Sequence, residues 1–448
     1  MKLACLPLVC LFFCCAINTC AQNIKQQIAD EMKSSLEKEL LNVWYPKSVD
    51  TSYGGFLSAF AFDGTRLPGQ DKMIVTQARH VWSNARAAEI YPEKIYYLES
   101  ARRGFLFLRD HCWDKQYGGF PSEYKQDGTT KASGLGDKTA YGNAFAIYGL
   151  AAYYRVSKDT AALHLAIKTF QWLEMHSHDA RLLGYFQHLD AKGRPVQRTA
   201  TTSSLAETGY KDQNSSIHLL EAFTELYGVW PDPLLKKRLR EMFVLIRDRI
   251  TDPKGHLILF FTPDWKPVSY RDSSEQCILA HHYLDHVSFG HDVETAYLLL
   301  EAADALGIKD DPLTLRKAKR MMDHAIENGW DSTVGGFYDE GYYFRGEKKI
   351  RIIHDSKNWW AQAEGLNALL MMAGYFPNDP HQYFAKFQQL WTYTKLYLID
   401  HQWGDWYPGG IDKEPFQKTA DKGNVWKGSY HNFRSLQNCI QRLSAKSH

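Results

Sequence analysis

The chain has 448 residues, 44% hydrophobic and 14% aromatic, ample for a sizeable core. Its 53 Lys and Arg against 51 Asp and Glu leave a formal charge of +2, which gives no electrostatic reason to expect nucleic acid or an anionic membrane as partner. Aromatic richness suits stacking on sugar faces, but an ordinary aromatic core accounts for it equally well.

Taken in chain order, the first element is a leader. Lys2 supplies a short positive start, Leu3 to Ile17 are apolar, and Thr19-Cys20-Ala21 offers small residues before Gln22. This pattern predicts a secretory signal peptide over 1–21, too short for a stable membrane span, and hence a secreted or periplasmic protein. A lipid anchor on Cys20 is the weaker alternative, because Thr19 is a poor match before it. Five of the eight cysteines lie in this leader. Cys112, Cys277 and Cys439 are too few and too scattered for a disulfide framework or a metal cluster.

From Ile24 the chain alternates amphipathic stretches with short Gly-aromatic turns. Apolar residues recur at helical spacing over 24–46, 71–91, 95–113, 138–156, 159–176, 205–228, 232–251, 274–307, 313–329, 356–375, 380–401 and 424–443. No run shows the alternation of a substantial sheet. The turns repeat: Gly54-Gly55-Phe56, Gly118-Gly119-Phe120 and Gly335-Gly336-Phe337, with degenerate copies at Gly184-Tyr185-Phe186, Gly255-His256-Leu257 and Gly404-Asp405-Trp406. Paired glycines before an aromatic suit a tight turn, because glycine tolerates positive φ. Six helix–helix–turn units bury their apolar faces by stacking side by side, and closing them gives an (α/α)6 barrel. An open solenoid would need polar end caps, and none stands out. No linker divides the chain after the leader, so 22–448 reads as one domain.

One helix of each unit carries unusual polar residues among apolar neighbours, as the inner helix of a barrel should. These are Arg79; Tyr141 and Asn143; Asn214 and His218; His291 and Glu294; Trp360 and Glu364; and His431. Each has a plain alternative. A lone helical His is most often structural, Arg79 has Glu89 within reach as a partner, and Trp359 or Trp360 belongs in the core. His291 and Glu294 share a helical face like half a metal site, but no third ligand follows at metal spacing, so no metal is expected.

The segments TQARHVW, NSSIHLLEAFTELYGVWPD, SFGHDVETAYLLLEAA, WWAQAEGLNALL and VWKGSYHNFR resemble, in order, those of the N-acylglucosamine 2-epimerase superfamily, and within it the cellobiose 2-epimerases. The resemblance covers essentially all of 24–448. It implies an (α/α)6 barrel that inverts C2 of a sugar without nucleotide or metal, and it carries over to Arg79, His218, His291, Glu294, Trp360, Glu364 and His431. Four positions depart from the usual pattern: Ser216, Asn143, Tyr297 and Gly428-Ser429. They leave the substrate open.

Inverting C2 requires removing a proton α to the C1 aldehyde of the opened sugar and returning one to the other face. Histidine suits both steps near neutral pH. His291 and His431 are assigned as the two bases, with His431 acting on the gluco form. Arg79 is the donor for charge developing on O1 and O2, and His218 a second donor or an aid in ring opening. Glu294 is expected to orient His291, and Glu364 to orient another base or bind a hydroxyl. Trp360 and Trp406 are expected to stack on the sugar, with Asn214, Tyr141 and Asn143 as further contacts. The expected reaction is epimerisation of the reducing-end sugar of a β-1,4-linked disaccharide such as cellobiose, with no cofactor, by a monomer or homodimer. Mannobiose, N-acylglucosamine and monosaccharide aldose–ketose isomerisation share the scaffold. A glycoside hydrolase or a non-catalytic glycan-binding protein fits the residue inventory less well.

Overall fold

The computed structural model describes residues 8–131 and 137–445, with side chains from Gln22 onward. The side chains of Cys20 and Ala21, where lipidation and cleavage are expected, therefore lie outside what is described. Among those described, no helix is long and apolar enough to cross a membrane.

Within the described residues, thirteen principal helices follow one another. They are α1 (Leu8–Ser35, prolonged to Trp44 through a π turn), α2 (Ile74–Ile90), α3 (Tyr96–Phe107), α4 (Ala140–Ser157), α5 (Thr160–His176), α6 (Gln213–Tyr227) and α7 (Pro233–Leu245). The short α8 (Glu275–His281) precedes α9 (Phe289–Ala305), α10 (Pro312–Gly329), α11 (Trp359–Tyr375), α12 (Tyr383–Tyr397) and α13 (Tyr430–Ser444). Helices α2, α4, α6, α9, α11 and α13 pack on one another in sequence, and α13 returns to α2. The ring is closed, and an open solenoid is excluded. Outer helices α3, α5, α7, α10 and α12 each lean on an inner one, while α1 covers α13. Together they make an (α/α)6 barrel.

Local chemistry sets this division. Inner helix α4 is buried continuously from Ala140 to Tyr153 and is apolar on all sides, as a helix with protein all round must be. Outer helix α10 buries Ala318, Met321, Met322 and Ala325 and turns its Lys and Arg outward. Asp232 and Asp311 cap α7 and α10, each followed by proline in the first turn.

Five of the six Gly-aromatic turns are tied down by a device that no local sequence pattern marks. In the first, Asp50 Oδ1 accepts from the Ser52 and Tyr53 N–H groups, and Gly54 and Gly55 sit at φ 83° and 65°. Buried Lys72 then donates to Asp50 Oδ2 at 3.0 Å and to the Gly54 carbonyl at 2.6 Å. The same latch recurs as Lys138 with Asp114, Lys211 with Asp179, Lys357 with Asp331 and Lys422 with Asp400. The first four of those five lysines (Lys72, Lys138, Lys211, Lys357) stand two residues ahead of an inner helix, so each latch fixes where that helix begins. Inside the helix, Gln77, Asn143, Asp292 and Gln362 accept from the turn's aromatic or leucine N–H at 2.8–2.9 Å.

Several expected boundaries move. The stretch 205–228 becomes helical only at Gln213, where Asp212 caps it by accepting from Ser215 N–H at 2.6 Å. The stretch 274–307 breaks between α8 and α9, because Val287–Ser288 pairs with Glu340–Tyr342, which pairs in turn with Arg351–His354. Leu284 and Val287 are buried in that break, so the apolar pattern ran through it unmarked. The helix expected from 424 starts at Tyr430.

Candidate active site

The polar residues of the inner helices fall within their first two turns, so the closed ring gathers them at one end. Arg79 is 7% exposed and donates to Tyr141 Oη at 3.1 Å. Its guanidinium lies 4.3 Å over the Phe145 ring and 4.8 Å over Tyr430. Glu89, its suggested partner, pairs instead with Arg86. Among the described residues no carboxylate lies in ion-pair range of Arg79, so its charge remains available to an anion in the cleft. That cleft is lined by Thr76, Arg79, His80, Trp426, Ser429 and His431.

Trp360 joins the two histidines assigned as bases: its ring centroid is 4.7 Å from His291 and 6.0 Å from His431. His431 Nδ1 sits 2.5 Å from Glu364 Oε1. A carboxylate accepts there, so Nδ1 carries the proton and Nε2 presents its lone pair. His218 Nδ1 meets Glu221 Oε2 at 2.9 Å in the same way, with its ring against Tyr141 and Phe145. His291 Nδ1 instead meets the Ser288 hydroxyl at 2.8 Å. A hydroxyl donates or accepts, so His291 is held without being locked into one protonation state.

Burial lowers the proton affinity of all three imidazoles, to about 3 for His291 and about 4 for His431, where the Glu364 bond opposes burial. All are neutral near pH 7, the state a base needs.

Behind the histidines lies a buried ionic hub. Arg434, 3% exposed, donates through one nitrogen to Glu221 and through the other to Glu294 at 2.5 Å, with Glu364 at 2.8 Å. Burial opposes charge on Glu364, but Arg434 and His431 outweigh it and hold its carboxyl at about 2. Burial and the neighbouring Glu364 push Glu294 the other way, to about 8. The hub thus carries two carboxylates, one carboxylic acid and one guanidinium.

Three expected contacts are placed elsewhere. Asn143 is fully buried with its amide spent on backbone: it donates to the Phe120 and Thr139 carbonyls and accepts from Phe120 N–H. Trp406, 1% exposed, is the core aromatic of the sixth turn, equivalent to Phe56, and has no face for a sugar. Glu294 binds Arg434 and leaves the orientation of His291 to Ser288. Asn214 is half-buried one turn ahead of His218. Of the departures, Tyr297 donates to Glu364 Oε2 at 2.6 Å, and Ser216 bonds the Asp212 carbonyl. Glu221 and Arg434 went unremarked, although each lies three residues past a chosen His, the spacing that drew notice to Glu294. Trp426, 51% exposed at the cleft, stood inside the VWKGSYHNFR segment.

The sequence pattern of the N-acylglucosamine 2-epimerase family matches residues 54–434. The cellobiose 2-epimerase of Bacteroides fragilis is 29% identical over 93% of this chain and 98% of its own. That of Dictyoglomus turgidum is 25% identical over 93% and 99%. The solved cellobiose 2-epimerase from Spirochaeta thermophila superposes with a TM-score of 0.78 at 27% identity, covering 94% of this chain and 98% of that one.

Proposed function

The chain belongs to the N-acylglucosamine 2-epimerase family, and on that premise we propose that it is an isomerase inverting C2 of the reducing-end sugar of a β-1,4-linked disaccharide, cellobiose first. The observation that carries this reading is the pair His291 and His431, whose rings both lie against Trp360, with the uncompensated Arg79 lining one cleft with His431. Likeness to cellobiose 2-epimerases over nearly the full length supplies the substrate class.

With the sugar ring open, His431 Nε2 takes the C2 proton of the gluco form, and the electron pair passes to O1 to give a cis-enediolate. Arg79 and Tyr141 face that charge, with His218 beside them. The negative intermediate raises the proton affinity of His291, which takes a proton from solvent and returns it to C2 on the opposite face. His431 then releases its proton to solvent, and the balance closes. Trp360 and Trp426 are the aromatic faces on offer for the sugar rings. A glycosidase needs two carboxyl groups free to flank the scissile bond. Glu221, Glu294 and Glu364 are each engaged by Arg434, which disfavours that reading. We read residues 22–448 as one catalytic unit, and the leader as directing it out of the cytoplasm.

Incubation with cellobiose tests the proposal. Glucosylmannose as the product supports it. Glucosylfructose would mean proton return to C1, free glucose would mean hydrolysis, and unchanged cellobiose would mean another substrate or no catalysis; each overturns it.

A further inference from the structure

Beside the cleft, on the segments that precede α9 and α11, three further ligand-type side chains converge on a point. His282 Nδ1 lies 3.0 Å from Glu340 Oε2, and His354 Nδ1 lies 3.0 Å from the same oxygen. The three atoms fall within 4.8 Å of one another. Neither contact has hydrogen-bond geometry: His282 Nδ1 and Glu340 Oε2 are both buried without a hydrogen-bond partner. Lone pairs aimed at a shared centre, not at each other, leave this signature. Ligands about 2.0–2.2 Å from a tetrahedral ion stand roughly 3.3 Å apart, close to the spacing here.

A fourth imidazole backs the group. His286 Nδ1 donates to the His282 carbonyl at 2.9 Å, which leaves Nε2 as a lone pair 3.7 Å from Glu340 Oε1. Two comparable clusters already hold a cation of the protein's own. Arg434 sits among Glu294, Glu364 and His431, and Lys319 pairs with Asp323 and Asp379 beside His381. Among the described residues, only histidines lie in ion-pair range of Glu340.

We propose that His282, Glu340 and His354 form a site for a divalent transition-metal ion, with zinc the best match to two imidazoles and one carboxylate. Its place in the fold assigns its role. His282 and His286 precede α9, which carries His291. Glu340 and His354 lie on the hairpin that precedes α11, which carries Trp360. The ion braces the rim from which both helices start and takes no part in proton transfer.

The test uses the full chain, stripped by chelator and titrated with Co²⁺ alone. One equivalent should bind with a visible ligand-field band of low coordination number, and Zn²⁺ should displace it and raise Tm. Glu340→Gln and His354→Ala, checked by circular dichroism for an unchanged apo fold, should each weaken Co²⁺ binding at least tenfold and abolish the Tm gain. His381→Ala, in the lysine-filled cluster, should change neither. Absence of a band and of a Tm shift in the parent chain overturns the site, as does undiminished affinity in both variants. Because the readout is metal binding, the outcome is independent of whether cellobiose is the substrate. Epimerisation by the stripped protein is expected to continue, and its loss on chelation with recovery on adding Zn²⁺ would overturn the bracing role.

Discussion

His431 and His291 differ in what grips their Nδ1 atoms, and that difference predicts different behaviour. Glu364 fixes His431 as a base, whereas Ser288 leaves His291 free to hold or release a proton. His291→Asn and His431→Asn are each expected to lower turnover by about 10²–10⁴-fold, the usual contribution of a positioned acid–base group. In D₂O the His291→Asn variant, which keeps His431, should still exchange deuterium into the C2 of cellobiose without making its epimer. The His431→Asn variant should do so with the manno sugar. Full activity in both variants would make the pair structural. The pH profile follows from burial. Neutral imidazoles are required, and both affinities are depressed well below the ordinary value, so the acid limb of kcat/KM should fall below about pH 5. A limb near 6.5 would show the two rings titrating as solvated groups. The same depression makes the fold lose stability as pH drops from about 6.5 toward 4, because the unfolded chain binds protons the native one refuses.

At the scale of elements, the contact between α2 and α4 decides where Arg79 meets Tyr141. A Cβ on Gly149 would stand 2.6 Å from the Ala78 carbonyl oxygen, which is backbone and cannot rotate aside. Ala gains about 1 kcal/mol over Gly in helix propensity, but overpacking two helix backbones costs about 1–3 kcal/mol. Gly149→Ala should therefore lower Tm and, by parting Arg79 from Tyr141, reduce kcat more than it raises KM. Gly374→Ala on α11 meets nothing within 4 Å and should raise Tm. Equal effects from the two substitutions would discount the close approach. Helix periodicity and the repeated glycines made this architecture legible in the sequence. What they could not convey was non-local. The lysine latches pair residues up to 32 apart, and no local pattern marks Lys72 or Lys211 as buried. Trp406 was readable as a turn residue, since its own Gly404-Asp405-Trp406 copy matches Gly54-Gly55-Phe56. That equivalence marks Trp406 as a core aromatic and not a stacking platform.

For the whole molecule, closure of the ring creates the site's electrostatics, because Arg434 on α13 reaches carboxylates from α6, α9 and α11. It brings together Glu221, which orients His218, and Glu364, which orients His431. No segment of sequence announces such a hub, since its four members lie on four helices and only the closed barrel makes them neighbours. Removing one partner from a buried ionic group is costly, about 3–5 kcal/mol, because the others are left charged without compensation. Arg434→Met should lose stability on that scale. It should also impair turnover, since carboxyls deprived of the guanidinium take up protons and no longer fix the tautomers of His218 and His431. Glu294→Gln is the contrast. Glu294 already holds its proton at neutral pH, so the amide is a near replica and stability at about pH 6 should change by less than about 1 kcal/mol. The pH dependence separates the two further. A carboxyl whose folded affinity is raised from 4.5 to about 8 stabilises most below pH 4.5, and that stabilisation is lost as pH climbs to about 8. Replacing Glu294 with Gln should flatten the decline of stability across that window, as measured by denaturant midpoints at successive pH values. A slope identical to the parent's would show that Glu294 is ionised in the folded protein and that the hub carries one more negative charge than its single guanidinium and two engaged carboxylates imply.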